Sequence, residues 1–222
     1  GVRLHDQPPV PYDRPVVPVR EHPDQAARLP AMRAPVKAAL AVERMRRTAP
    51  GHPAAATVLA AWRSVLAHPA PGPRLLCHGD FHLGQLVRDT GPSATSPATT
   101  SPAATSPAAA PWRLIDMDDL GLGDPAWDLA RPAAWFAAGI LPPEIWSRFL
   151  GAYQEAGGPA VGADPWVQLD VPARALTVQT AALALAKSSA EGRPLDEVED
   201  VMIDTCARIA GHRTDSGATA ST

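Results

Sequence analysis

The chain has 222 residues, 45% of them hydrophobic and 5% aromatic, and its 20 Lys and Arg residues nearly balance 23 Asp and Glu residues, for a net charge of -3. This length and composition fit one folded domain, or a small pair, with a sizeable apolar core. Because the basic residues form no stripe interleaved with aromatics, nucleic acid is not an expected partner. No apolar run reaches the roughly 18 residues of a membrane span, and no charged-then-apolar leader opens the chain, so no membrane partner is expected.

The two cysteines, Cys77 and Cys206, are too few for a disulfide framework, and neither lies in a CxxC motif. A cytoplasmic location, which is reducing, is therefore expected. Cys77 follows an apolar run and is expected to be a buried strand residue, since free cysteine usually behaves as a small hydrophobe. The chain opens on Gly1 and not on Met, which leads us to expect a fragment or a processed product.

In chain order, residues 1–27 are rich in proline and show no sustained hydrophobic period, which predicts an extended lead-in. Helical periodicity follows from Met32 to Arg47 and from Pro53 to Ala67. Three short apolar runs, RLLC, GQLVRD and WRLIDM, are the strand candidates, and the polar stretch HGDFH lies on a loop between the first two.

Residues 90–111 have the sequence TGPSATSPATTSPAATSPAAAP, in which SPA recurs and no charged residue occurs. Such a segment has too little apolar surface to offset the entropy of ordering it. We therefore expect a disordered insertion that joins the last two strands, and a disordered tail at 212–222.

The second half is predicted to be helical. Asp124 followed by Pro125 is typical of a helix start with Asp as the N-cap, and Pro132 predicts a kink soon after. Further helices are predicted from Pro143 onward, from Val171 to Ser188, and from Leu195 to Ala210 with Gly211 as the stop. The expected fold class is α+β, mainly α-helical, with a small β-hairpin that carries the acidic motifs.

Three polar residues around the hairpin have the types that phosphoryl transfer needs. That reaction uses one carboxylate to orient or deprotonate the attacking hydroxyl, and separate oxygen ligands to hold Mg²⁺ on the nucleotide phosphates. Asp80 can be the first, while Gln85 offers an amide oxygen and Asp116, at the end of the next strand, a carboxylate. With the insertion set aside, Asp80 and Asp116 are a hairpin apart, so all three can reach one site.

The stretch HGDFHLGQ, followed by LIDMDDLGLGDPAWDLA, resembles the aminoglycoside phosphotransferase family of small-molecule kinases, whose fold is protein-kinase-like. The resemblance implies ATP and Mg²⁺ as cofactors. It also implies that Asp80 is the catalytic carboxylate, that His78 braces the catalytic loop, and that Gln85 and Asp116 are the metal ligands.

In the GDPAWDLA segment, the resemblance implies that Asp128 caps the catalytic loop from the helix below and that Asp124 supports the same structure. Gln85 stands where the family usually has Asn, one methylene shorter, and HGDFHLGQ also resembles the motif of bacterial maltokinases, whose second motif differs. No Gly-rich strand turn and no strand lysine is found, since Lys37 and Lys187, the only lysines, fall in predicted helices. We therefore expect residues 28–211 to form the C-terminal lobe, with the nucleotide-binding N-lobe missing.

The expected function is ATP-dependent phosphorylation of a small-molecule hydroxyl, with the acceptor pocket supplied by helices after Pro143. The chain alone is expected to be inactive because it lacks the N-lobe. Asp118 and Asp119 either attract a cationic acceptor such as an amino sugar or are solvated or capping residues. His82 is either a substrate contact or a loop-packing residue.

Two alternatives remain open. A metal-dependent hydrolase would use His78, Asp80 and His82 as ligands with Asp116 closing the site, but it leaves GDPAWDLA and the position of Gln85 unexplained. A kinase-lobe remnant would instead be a non-catalytic binding module.

Overall fold

A computed structural model describes residues 29–67, 74–88 and 112–216, with side chains described as far as Gly211. The predicted lead-in at 1–27 and the predicted insertion at 90–111 lie outside the described residues. The helices are α1 (Ala34–Thr48), α2 (Ala55–Leu66), α3 (Ala130–Ala137), α4 (Pro143–Glu155), α5 (Trp166–Glu191) and α6 (Glu197–Ser216). The strands are β1 (Leu75–Cys77), β2 (Leu86–Arg88), β3 (Trp112–Leu114) and β4 (Gly121–Gly123). The described chain is thus α+β and mainly helical, as predicted.

Helix α5 is the centre of the helical body and contacts α1, α2, α3 and α6. Most residues of α5 between Leu169 and Ser188 are buried or half-buried, and the helix contributes to two apolar clusters. In the larger cluster, Leu185 of α5 packs with Met45 of α1 and Met202 of α6, all with no exposed surface. In the smaller, Leu169 of α5 packs with Trp146 of α4. No helix in this described body is both long and apolar enough to cross a membrane.

Helix α5 begins five residues before the predicted Val171 and contains Pro172. Asp164 accepts a hydrogen bond from the amide of Trp166, the first residue of the helix. A proline inside a helix removes one backbone hydrogen bond, and Pro172 lies in the second turn of α5. The proline ring is itself buried in the core, and tertiary packing outweighs the lost hydrogen bond.

Helix α6 starts at Glu197 and not at Leu195, because Asp196 and Glu199 form a capping box. The Glu199 amide donates to the Asp196 carboxylate, and the Asp196 amide donates to the Glu199 carboxylate, each at 2.9 Å. The predicted stop at Gly211 is wrong: the helix runs on to Ser216, so the predicted tail is helical over residues 212–216. A glycine ends a helix when it takes a positive φ, and Gly211 does not.

The GDPAWDLA segment begins as a 3-10 helix, Pro125–Leu129, before α3 takes over at Ala130. The Asp124 carboxylate accepts a hydrogen bond from the Ala126 amide, which confirms the predicted N-cap. The proline at position 132 falls in the first turn of α3, where its missing N–H has little cost.

The strands form two antiparallel pairs, β1 with β4 and β2 with β3, in place of a single hairpin. Residues 78–85 therefore connect the two sheets. Strand β4, Gly-Leu-Gly, was not predicted because glycine has low strand propensity. Its glycines allow close packing: a Cβ on Gly121 would lie 2.6 Å from the Met32 nitrogen, and the Leu122 amide donates to the Pro30 carbonyl at 2.8 Å.

Candidate active site

The loop after β1 is anchored by Asp128, which lies on the 3-10 helix Pro125–Leu129. Its two carboxylate oxygens accept hydrogen bonds from the backbone amides of His78 and Gly79, both at 2.8 Å. Gly79 has φ +84°, and a Cβ there would lie 2.3 Å from the carbonyl oxygen of Asp119. The HGD sequence therefore requires glycine in the middle, and Asp128 has the loop-capping position that the sequence implied.

Asp80 is held between two cations. Its Oδ2 accepts from Lys37 Nζ at 3.0 Å and its Oδ1 from Arg131 Nη2 at 2.8 Å. Burial would raise the pKa of Asp80, but the hydrogen bonds and charges of Lys37 and Arg131 together hold it below the usual value. The carboxylate is thus ionised at neutral pH and fixed in orientation, on the loop that the sequence identified.

Lys37 also binds Asp119, whose side chain is buried and lies 3.4 Å from the Arg33 guanidinium. Burial alone would lower the pKa of Lys37, yet the hydrogen bonds that it donates to Asp119 and Asp80 raise it overall. Asp119 is therefore neither a solvated residue nor a free attractor of cationic substrates. Its neighbour Asp118 is exposed.

Asp116 and Gln85 meet through the pairing of β2 with β3, in which Leu86 lies opposite Leu114. The side-chain Nε2 of Gln85 donates to Asp116 Oδ2 at 2.7 Å. The backbone carbonyl of Gln85 accepts from the backbone amide of Ile115 at 2.9 Å. Gln85 is buried and Asp116 is exposed, so the carboxylate faces solvent on a fixed support. Asp116 has φ 63°, a left-handed conformation that Asp tolerates better than most residues.

His78 links the first motif to the second. Its Nδ1 accepts from the Asp80 amide at 3.3 Å, and its Nε2 lies 2.9 Å from the Ile115 carbonyl. Nε2 then carries the proton, because a carbonyl can only accept. The histidine is buried and uses both ring nitrogens to brace the loop, the role that the resemblance implied.

The oxygen atoms of Asp116 and Gln85 are of the type that could hold Mg²⁺. Mg²⁺ is commonly held by one or two carboxylates together with substrate phosphates and water. Because the Gln85 amide nitrogen faces the carboxylate, its amide oxygen is left as an acceptor. Among the described residues, no three His, Cys, Asp or Glu side chains form a group that could hold a metal ion.

Beside the Asp80 loop lies a cavity of about 920 Å³ between residues 81–84, α3 and α4. His82 lines it, and the His82 Nδ1 accepts from the Gly84 amide at 3.0 Å. Arg131 lines the cavity as well and binds Asp80, so the guanidinium joins the two parts of the site. The lining includes α4, which begins at Pro143. The sequence predicted that the helices after this residue supply the acceptor pocket.

Lys37, Arg33 and Arg131 were missed as site residues. Arg33 and Lys37 are four residues apart, a spacing that places them on one helical face and could have indicated a charged site. Arg131 directly follows GDPAWDLA. Cys77, in contrast, is buried as predicted, and burial with help from nearby carboxylates raises the pKa of its thiol to about 12, which makes it unreactive.

The chain matches no protein-family model, no curated protein and no solved structure among those compared with it. The functional argument therefore rests on the motifs and on the geometry of the site.

Proposed function

We propose that this chain is the acceptor-binding and catalytic lobe of an ATP-dependent small-molecule kinase resembling the aminoglycoside phosphotransferase family. One observation carries the proposal. Two motifs separated by the insertion meet through the hydrogen bond between Gln85 and Asp116 and the contact between His78 and Ile115. The resemblance gives these residues related tasks, for which they must be neighbours, and these contacts support the proposal.

In the proposed reaction, Asp80 accepts a hydrogen bond from the acceptor hydroxyl. A carboxylate has about four lone-pair positions, and Lys37 and Arg131 use two of them, so positions remain for the hydroxyl. Phosphoryl transfer has a loose transition state, which makes orientation more important than basicity. A carboxylate with a lowered pKa is a weak base, but it can still orient the acceptor hydroxyl. It can take the hydroxyl proton late in the reaction.

Asp116 and Gln85 would hold Mg²⁺, which neutralises charge on the nucleotide phosphates when bound. The rigid support under Asp116 fixes the carboxylate before any ligand arrives, which reduces the entropy lost on binding. Lys37 and Arg131 add positive charge next to Asp80. The chain's own residues thus position the hydroxyl and provide the oxygen donors for the metal.

The nucleotide itself needs further contacts. Both lysines of the chain lie on helices, Lys37 on α1 and Lys187 on α5, and neither occupies a strand as the family's phosphate-pairing lysine does. We propose that these 222 residues alone bind Mg-ATP weakly and transfer phosphate at background rates. Calorimetry with Mg-ATP tests this, and turnover at ordinary kinase rates of about 1–100 per second would contradict it.

The metal assignment is tested with the full-length gene product and a panel of hydroxyl compounds. Asp116→Ala should reduce ATP-dependent transfer at least about 100-fold, because it removes a metal ligand, whereas Gln85→Asn should keep substantial activity as it restores the family's usual amide. Asp118→Ala is the matched control, an exposed carboxylate two residues away, and should leave transfer unchanged. Near-normal turnover in Asp116→Ala would show that the assignment is wrong, and binding without any transfer would favour the non-catalytic module.

A further inference from the structure

The cavity beside Asp80 has a distinctive lining. Its volume of about 920 Å³ is near the upper end of the roughly 300–1,000 Å³ that ligand pockets span. Large apolar side chains form most of the wall: Phe81, Leu83, Trp135, Leu141, Ile145 and Phe149. Leu83 is 79% exposed and Ile145 is 46% exposed, so apolar surface faces the open space. Apolar surface concentrated in a concave site is typical of a place where a ligand binds.

The charged groups of the lining are mainly cationic. The lining contains two arginines, Arg131 and Arg148, and one carboxylate residue, Glu155. Arg131 is paired with Asp80, while Arg148 is exposed and forms no ion pair within the described residues. Asp118 and Asp119 do not line the cavity.

The negative charge of the neighbouring loop does not change this balance. The Asp80 carboxylate is neutralised by both Lys37 and Arg131, and the Asp119 carboxylate by Lys37 and Arg33. A ligand with several ammonium groups would bury them against apolar walls, where Glu155 is the one carboxylate of the lining that could pair with them. Burying an unpaired charge is costly, so such a ligand is disfavoured.

We propose that the acceptor is a large, mostly apolar alcohol without positive charge, neutral or with one negative group, and not a polycationic amino sugar. The identification of this ligand as the acceptor rests on the proposed function. Its apolar body lies against α3 and α4, and a negative group on it pairs with Arg148. A hydroxyl at the other end reaches Asp80 beside Arg131, the residue that belongs to both the cavity and the ion pair.

Binding is tested on the chain as it exists, by calorimetry without nucleotide. The probes are cholate, an apolar triol with one carboxylate, used below its micelle concentration, and kanamycin, a polycationic amino sugar. Cholate should bind at least tenfold more tightly than kanamycin. Equal affinities, tighter binding of kanamycin, or no binding of either probe would overturn the proposal.

Two pairs of variants test the location. Ile145→Glu places a carboxylate in the apolar wall and should weaken cholate binding at least tenfold, whereas Val167→Glu, at an exposed helical position outside the cavity, should not. Arg148→Glu should weaken cholate and strengthen kanamycin, and Arg46→Glu on α1 is its control. Circular dichroism confirms that each variant is folded. Unchanged cholate affinity in both cavity variants would overturn the site.

The outcome separates this inference from the proposed function. Cholate binding in the cavity without phosphate transfer by the full-length gene product to any apolar alcohol would contradict the kinase and leave the ligand class standing. Efficient phosphate transfer to kanamycin would do the opposite, because it would support the kinase and overturn the ligand class.

Discussion

The helical body, which is α1 to α6, and the strand-and-loop layer, which is β1 to β4 with residues 78–85, are stabilised in different ways. In the body, α5 packs against four other helices through residues such as Leu185 and Val178, which have no exposed surface. In the layer, each strand has three residues, and the contacts that matter are hydrogen bonds, donated by two backbone amides to Asp128 and by Gln85 to Asp116.

This difference shows where rigidity at the site comes from. Strands this short cannot hold a loop by pairing alone. The loop is fixed because helices of the body supply the groups that bind it, Lys37 from α1 and Arg131 from α3, while Asp128 binds it from the adjoining 3-10 helix. The body thus provides the stability, and the layer provides the geometry of the candidate site.

The comparison predicts the largest stability effect in the body. Leu185→Ala should lower the free energy of unfolding by about 2–5 kcal/mol, because it leaves a cavity in close-packed surroundings. Leu40→Ala, at a helical position where the side chain is 55% exposed, is the matched control and should cost about 1 kcal/mol or less. Urea denaturation measures both, and equal losses in the two variants would contradict the assignment of the core.

An intermediate effect is expected for Asp128→Ala in the layer. The change leaves the amides of His78 and Gly79 without an acceptor, at a cost of about 2 kcal/mol since water can reach part of the loop. Hydrogen exchange should become faster at these two amides while α5 stays protected. The control is Asp118→Ala, and unchanged exchange in Asp128→Ala would show that the cap does not hold the loop.

The smallest effect, about 1 kcal/mol at neutral pH, is expected for Lys37→Met, compared with Lys187→Met as the control. The lowered pKa of Asp80 means that its stabilising contribution is present above the ordinary pKa of about 3.9 and is lost as pH falls below it. The raised pKa of Lys37 means that its contribution is present below about 10.4 and is lost at higher pH.

The stability difference between the wild-type chain and Lys37→Met should therefore be constant from about pH 5 to pH 9 and shrink below pH 4. Carboxyl NMR should also show a higher pKa for Asp80 in the variant. A difference that persists down to pH 2 would exclude Asp80 as the partner that matters.

The sequence predicted the parts of this molecule that depend on local patterns. Apolar periodicity located α1 and α2, and the capping residue Asp124 located the turn into the 3-10 helix. The β2 and β3 pairing was also predictable, because two apolar runs flank a segment with too little apolar surface to fold by itself. The meeting of Gln85 with Asp116 follows from that pairing.

Features that depend on long-range packing were not predictable. Nothing near Lys37 in the sequence indicates that its partners are 43 and 82 residues away. Strand β4 consists of two glycines and one leucine, and its role is visible only when the chain at Pro30 packs beside it. The capping of α6 was predictable from the Asp196 and Glu199 spacing, but the leucine at 195 gave an earlier apolar start.

The register of β2 with β3 has a consequence for protein engineering. Arg88 lies opposite Trp112, and the guanidinium is 4.8 Å from the centre of the indole ring, so the two ends of the intervening segment are adjacent whatever path it takes. A chain cut there gives two fragments, one with Asp80 and Gln85 and the other with Asp116 and Asp128. Neither fragment has a complete set of these residues, and reassociation of the two would report directly on the formation of the candidate site.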